Sequence, residues 1–138
     1  MKVVISDYPS VIGRDLEYEK SILQTGLEEC EVVVYPYKDS LEFLQIMEEA
    51  DALLTAFLPI DKEVLARCKR LKCIGYNSTG YDSTDFEEAT KRKIAIIPIE
   101  EYCTQEVAEH TMALILALTR QLKHYINDID KRKIYQYH

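Results

Sequence analysis

Five short runs rich in β-branched or apolar residues recur along the chain: Val3–Ser6, Val32–Tyr35, Ala52–Thr55, Cys73–Tyr76 and Ala95–Ile99. Each is separated from the next by a segment of helical character. A spacing of about 20 residues leaves room for a crossover helix, which parallel strands require and a hairpin does not. The runs carry few alternating polar residues, the pattern of strands covered on both faces. The expectation is an α/β fold, an open parallel five-stranded sheet of flavodoxin-like type with helices on both faces.

The intervening segments carry helix punctuation. Asp61 is placed to N-cap a helix through Ala66, with Ile60 and Leu65 as a hydrophobic staple. Thr84 and Glu87 have capping-box spacing at the start of Thr84–Lys91. Thr104, followed by Gln105 and Glu106, opens the longest helix, a C-terminal crossing helix reaching Leu122. From Val107 to Leu122 that helix is apolar on nearly every side, so one sheet face does not suffice to bury it. It calls for a second covering surface, from another domain or another copy of the chain. After Leu122 the sequence is polar and tyrosine-rich (Tyr125, Tyr135, Tyr137) and reads as a linker cut short. The expected organisation is a domain over 1–103, a crossing helix over 104–122 and a linker over 123–138.

Bulk properties exclude several function classes. The 138 residues suit one compact domain, and 47% apolar content supplies an ordinary core. A net charge of −7 repels phosphate backbones, so nucleic acid is not an expected partner, and the short run Lys131, Arg132, Lys133 does not change that. The longest apolar run, Met112–Leu118, is too short to span a bilayer, and no secretory leader is visible. A soluble, cytoplasmic protein is expected. The cysteines at 30, 68, 73 and 103 lack zinc-ligand spacing and read as reduced structural thiols.

The passage Cys73-Ile-Gly-Tyr-Asn-Ser-Thr-Gly-Tyr-Asp82 carries the chemistry. A strand enters, a glycine-bearing loop follows, and a capped helix begins near Ser83. At the C-terminal edge of a parallel sheet, such a loop offers backbone N–H groups and a positive helix end to a carboxylate or phosphate. The alternative is a plain strand–helix turn in which Gly80 serves only a positive φ. The glycines lie at 13, 26, 75 and 80, which excludes a dinucleotide fingerprint of three closely spaced glycines. Gly75 and Gly80 have the outer spacing of a P-loop, but Tyr81 and Asp82 stand where Lys and Ser/Thr are needed. Ser78-Thr79-Gly80 is similar to a flavodoxin phosphate loop, yet it follows the fourth strand instead of the first. A receiver-type signalling site also fails: Asp7 is a lone acid, the third strand ends in Thr55, and Lys93 precedes its strand.

The segment from Arg70 through that loop to Asp85, with its Asp82-Ser-Thr-Asp85 helix start, resembles the D-isomer-specific 2-hydroxyacid dehydrogenase family. Ile97-Pro98, Tyr102 and Glu106-Val-Ala-Glu-His-Thr-Met-Ala-Leu-Ile-Leu-Ala-Leu-Thr-Arg120 resemble the interdomain helix of the same family. Upstream, Glu49–Thr55 and Pro59–Leu65 resemble its third strand and following helix, so the resemblance runs in order along essentially the whole chain. It implies that backbone N–H groups of Asn77, Ser78, Thr79 and Gly80 hold a substrate carboxylate. It implies that the turn Thr55, Ala56, Phe57 closes over the substrate, that Tyr102 stands against it, and that Thr104 and Gln105 lie toward the cofactor domain.

The family's catalytic Arg, acid and His follow a glycine fingerprint and fall beyond this sequence, so no catalytic residue is expected within it. Glu109 and His110 are adjacent on a helix and do not face each other; His110 reads as a packing or interface residue, and His124 and His138 sit in the polar tail. The implied function is the substrate-binding portion of an NAD-dependent enzyme acting on a small 2-hydroxy or 2-oxo acid. It would be inactive without its cofactor domain and dimeric through the 104–122 helix. A stand-alone module that binds small carboxylates or a protein partner is the competing expectation.

Overall fold

The computed structural model describes residues 1–133, so Tyr135, Tyr137 and His138 lie outside the described residues. Two compact units are present, Met1–Glu100 and Glu101–His138. The first contains five parallel strands: β1 (Lys2–Asp7), β2 (Glu31–Pro36), β3 (Ala52–Thr55), β4 (Cys73–Tyr76) and β5 (Ala95–Pro98), in the order β2-β1-β3-β4-β5. The helices are α1 (Pro9–Ile12), α2 (Glu17–Gly26), α3 (Ser40–Met47), α4 (Lys62–Arg67) and α5 (Phe86–Lys91). The five expected strands and the flavodoxin-like order are therefore observed.

Side chains alternate between the two faces of the sheet with the two-residue period of the strands. Val4, Leu53 and Ile74, neighbours in register, pack with Phe43 and Met47 of α3, Leu65 of α4 and Ala89 of α5 into the main core. Each large side chain buried there contributes roughly 1.5–3 kcal/mol. On the opposite face Val3 and Ile5 are buried, together with Leu16 at the entry to α2. That cover does not extend over β5, whose residues alternate exposed and half-buried; Ile97 is 55% exposed. The expectation that every strand is covered on both faces thus holds for β1 and fails at the β5 edge.

The caps test the sequence reading locally. Asp61 accepts the Val64 N–H at 2.9 Å, and Ile60 and Leu65 are both fully buried, as the staple requires. At α5 the expected Thr84 cap is replaced by Asp85, whose carboxylate accepts the Glu88 N–H at 2.9 Å. Thr84 is instead buried, its hydroxyl hydrogen-bonded to the Tyr76 phenol. A hydroxyl that satisfies a buried phenol is unavailable to a helix end.

In the second unit, α6 (Thr104–Thr119) stops three residues short of the expected Leu122. The Thr119 hydroxyl back-bonds to the carbonyls of Ile115 and Leu116, and Gln121 turns left-handed at φ 51°. The stretch expected to be a linker resumes as α7 (Leu122–Asn127) and a π-helical turn, Asp128–Arg132. Asp128 is buried there, 3.2 Å from the His124 imidazole and 3.3 Å from the Arg132 guanidinium. No residue of α6 is buried, and Leu118 is 79% exposed. No helix among the described residues is long and apolar enough to cross a membrane.

Candidate substrate-carboxylate site

Ligand sites in open α/β sheets lie beyond the carboxyl ends of the strands. Here that edge joins three segments: the end of β1, the turn after β3 and the loop after β4. The Asn77 N–H donates to the Thr55 carbonyl at 2.8 Å, and the Ser78 hydroxyl reaches the Ala56 carbonyl at 3.3 Å and the Gly80 carbonyl at 2.7 Å. These bonds stitch the Asn77–Gly80 loop onto the Thr55–Phe57 turn. On its far side the loop is tied down as well: Ile60 N–H donates to the Ser83 carbonyl at 2.9 Å and Asp85 N–H to the Ile60 carbonyl at 3.0 Å. The Ser78 carbonyl accepts from Ile99 N–H at 3.2 Å.

Between these anchors, the backbone N–H groups of Ser78, Thr79 and Gly80 donate to no acceptor among the described residues. Consecutive free N–H groups on a pinned loop suit an anion. Two details of the sequence reading change. Gly80 has no positive φ, so the plain-turn explanation of that glycine does not hold. A Cβ added there meets only Asp82 Oδ1, at an ordinary 3.4 Å. The helix expected near Ser83 begins at Phe86 and is capped by its own Asp85, so the loop N–H groups act without a helix end behind them.

Asp7 was missed as a site residue. It is 1% exposed, and its carboxylate accepts from the Tyr8 N–H at 2.8 Å, the Thr55 hydroxyl at 3.1 Å, the Ala56 N–H at 2.5 Å and the Phe57 N–H at 3.0 Å. An internal carboxylate therefore takes the turn's own donors. Ala56 and Thr55 are buried and contribute shape, whereas Phe57 stands 60% exposed at the tip. The sequence signal was an acid closing the strand Lys2-Val-Val-Ile-Ser-Asp7 at the sheet's C-terminal edge.

The remaining sequence candidates belong to the second unit. Tyr102 is exposed, and the Cys103 thiol beside it, by hydrogen bonding and by charge, raises its phenol above the usual range. Thr104 occupies the first position of α6, and the Gln105 amide donates to Glu109 at 2.9 Å along the helix. Cys103, not Thr104, holds the N-cap position, with no side-chain cap. Among the described residues no cluster of acids, histidines and cysteines has a metal-binding arrangement, and all four cysteines are free.

Residues 3–131 match the pattern of the D-isomer specific 2-hydroxyacid dehydrogenase, catalytic domain. A glyoxylate reductase of Thermofilum pendens is 41% identical over 98 residues, 67% of this chain and 29% of that protein. A D-3-phosphoglycerate dehydrogenase of Mycobacterium leprae is 32% identical over 117 residues, 84% of this chain and 22% of that protein. The crystal structure of Aquifex aeolicus D-lactate dehydrogenase complexed with NAD and lactic acid superposes with a TM-score of 0.80 at 25% identity, covering 99% of this chain and 39% of that one. The chain thus spans well under half the length of the relatives it matches. It belongs to the D-isomer specific 2-hydroxyacid dehydrogenase family.

Proposed function

We propose that this chain supplies the substrate-carboxylate side of an NAD-dependent D-2-hydroxyacid dehydrogenase. The observation that carries the reading is the run of three unpaired N–H groups, Ser78 to Gly80, on a loop stitched to the Thr55–Phe57 turn. Backbone donors held in place before the ligand arrives bind a carboxylate without reorganisation and fix the orientation of C2. A 2-hydroxy or 2-oxo acid presents that carboxylate next to its reacting carbon. The turn shelters one side of the ligand; Tyr102, Thr104 and Gln105, which the family resemblance assigns to substrate and cofactor, belong to the second unit.

The chain's own residues do not fit a dinucleotide. Its first strand–helix turn reads Asp7-Tyr8-Pro9, where a nucleotide-binding sheet needs glycines for close approach of the pyrophosphate. A buried carboxylate occupies that spot instead. The nicotinamide, and the Arg, acid and His that act on the hydroxyl, accordingly belong to a separate cofactor domain. The 138 residues by themselves are inactive and do not bind NAD(H).

The exposed apolar side chains of α6, among them Met112, Leu114, Leu116 and Leu118, support self-association through residues 104–122. The four free thiols fit a reducing compartment, and the cytoplasm is the proposed location.

Amide NMR titration with D-lactate and pyruvate tests the reading. Shifts concentrated at Ser78, Thr79 and Gly80, with a dissociation constant on the order of millimolar or weaker, are expected. Thr79→Pro, which removes one donor, abolishes them. Shifts spread evenly over the surface reject the proposal. Micromolar NADH binding in a calorimetric titration rejects the assignment of the cofactor to another domain.

A further inference from the structure

On the side of the sheet that carries the main core, the first turns of α3 and α4 border a cleft of about 170 Å³. Its floor is apolar: Phe43, Leu44 and Leu58 are buried, and Val64 is half-buried. Its rim is polar and open to solvent, with Ser40, Asp61 and Glu63 exposed. The Tyr37 ring makes a side wall, in edge-to-face contact with Phe43 at 5.6 Å between centroids.

The polar groups of the rim are only partly used within the chain. Asp61 uses Oδ1 for the Val64 N–H at 2.9 Å, which leaves Oδ2. Among the described residues, the Glu63 carboxylate, the Ser40 hydroxyl and the Tyr37 phenol have no hydrogen-bond or ion-pair partner. The N-termini of α3 and α4 would favour an anion, but Asp39 and Asp61 already take N–H groups there. No lysine or arginine lines the cleft, so the carboxylates of Asp61 and Glu63 set its sign. An ammonium group, with three donors and no acceptor, matches a rim of this kind, and an aliphatic body matches the floor. A cavity near Met1 mixes Glu29, Glu31 and Glu49 with Lys2 and Arg70 and presents no single sign.

The cleft is tied to the turn of the carboxylate site through the backbone on both sides. Leu58 and Pro59, which line it, follow Phe57 directly. The Tyr37 N–H donates to the carbonyl of Asp7 at 2.8 Å, and the Asp7 carboxylate holds that turn. We propose that this cleft is a second ligand site, for a small organic ammonium, and that its occupation is felt at the Thr55–Phe57 turn. A space of roughly 150 Å³ holds a benzene-sized body, so the ligand has about five or six heavy atoms.

The test titrates the full chain, labelled at amides and methyls, with butylammonium, 1-butanol and butanoate. Butylammonium is expected to give saturable shifts of the Leu44, Leu58 and Val64 methyls, with a dissociation constant on the order of millimolar. Butanol keeps the body without the charge and binds about tenfold more weakly, and butanoate leaves these methyls unmoved. The amides of Ala56 and Phe57 shift with the same concentration dependence as the methyls. Glu63→Gln, an exposed change that leaves the core untouched, weakens butylammonium about threefold and butanol not at all. Equal affinity for butanol and butylammonium, or shifts that spread over the surface without saturating, overturns the site. Saturable methyl shifts with Ala56 and Phe57 unmoved overturn the link to the turn.

Discussion

The Asp7 carboxylate accepts the backbone N–H of Ala56 at 2.5 Å, across 49 residues of sequence. With the bonds to Thr55 and Phe57, this contact makes the end of β1 the clamp of the turn after β3. Asp7→Ala strands three N–H groups, of Tyr8, Ala56 and Phe57, and the buried Thr55 hydroxyl, and the expected loss is roughly 2–4 kcal/mol in urea denaturation. Asp7→Asn keeps one acceptor oxygen and is expected to lose less. Hydrogen exchange at Ala56 and Phe57 accelerates in both variants before that of the core. Unchanged stability in Asp7→Ala would refute the clamp.

Lys93 sits left-handed at φ 58°, two residues past the end of α5 and directly after its C-cap, Arg92. The Ile94 N–H donates to the Ala89 carbonyl at 2.9 Å and the Lys93 N–H to the Thr90 carbonyl at 3.0 Å, the paired bonds of a Schellman ending. A side chain at that position costs about 1 kcal/mol relative to glycine. Lys93→Gly is therefore expected to raise the denaturation midpoint with its slope unchanged.

Asp51 is buried at the opposite edge of the sheet, and its carboxyl is held below the usual value of 3.8. The main cause is the Lys2 N–H, which donates to it at 2.8 Å, and the Arg70 guanidinium at 3.0 Å assists. An acid whose folded pKa is depressed contributes stability that is complete above its unfolded value and is lost as pH falls through the folded one. The expected stability curve declines below about pH 3.8 for this reason. Asp51→Asn lowers stability at neutral pH and flattens that decline, which denaturant titrations at pH 2 to 7 measure.

Leu116 and Leu118 project from α6 into solvent, along with Val107 and Met112. Replacing both leucines by lysine is expected to give a monomer in sedimentation equilibrium, while the unmodified chain associates at micromolar concentration. A monomeric unmodified chain at high micromolar concentration removes the basis for self-association through this helix.

The strand runs, the staple at Ile60 and Leu65 and the Asp61 cap were legible in the sequence because each depends on local periodicity or on neighbours within one turn. The glycine-bearing turn after the fourth strand was equally legible, whereas a carboxylate role for Asn77–Gly80 came from the family resemblance and not from any local pattern. Position in the sheet was a different matter. Whether Thr84 or Asp85 caps α5 depended on Tyr76, which takes the threonine hydroxyl into the core. The exposure of β5 followed from its place at the sheet edge, since the same apolar run in a central strand is buried. Asp7 read as a lone acid because its three partners on the turn lie about 50 residues away, and only the pairing of β1 with β3 brings them within hydrogen-bonding distance. Periodicity is a property of neighbours along the chain, whereas a carboxylate's partners are chosen by the strand order, which no local pattern encodes.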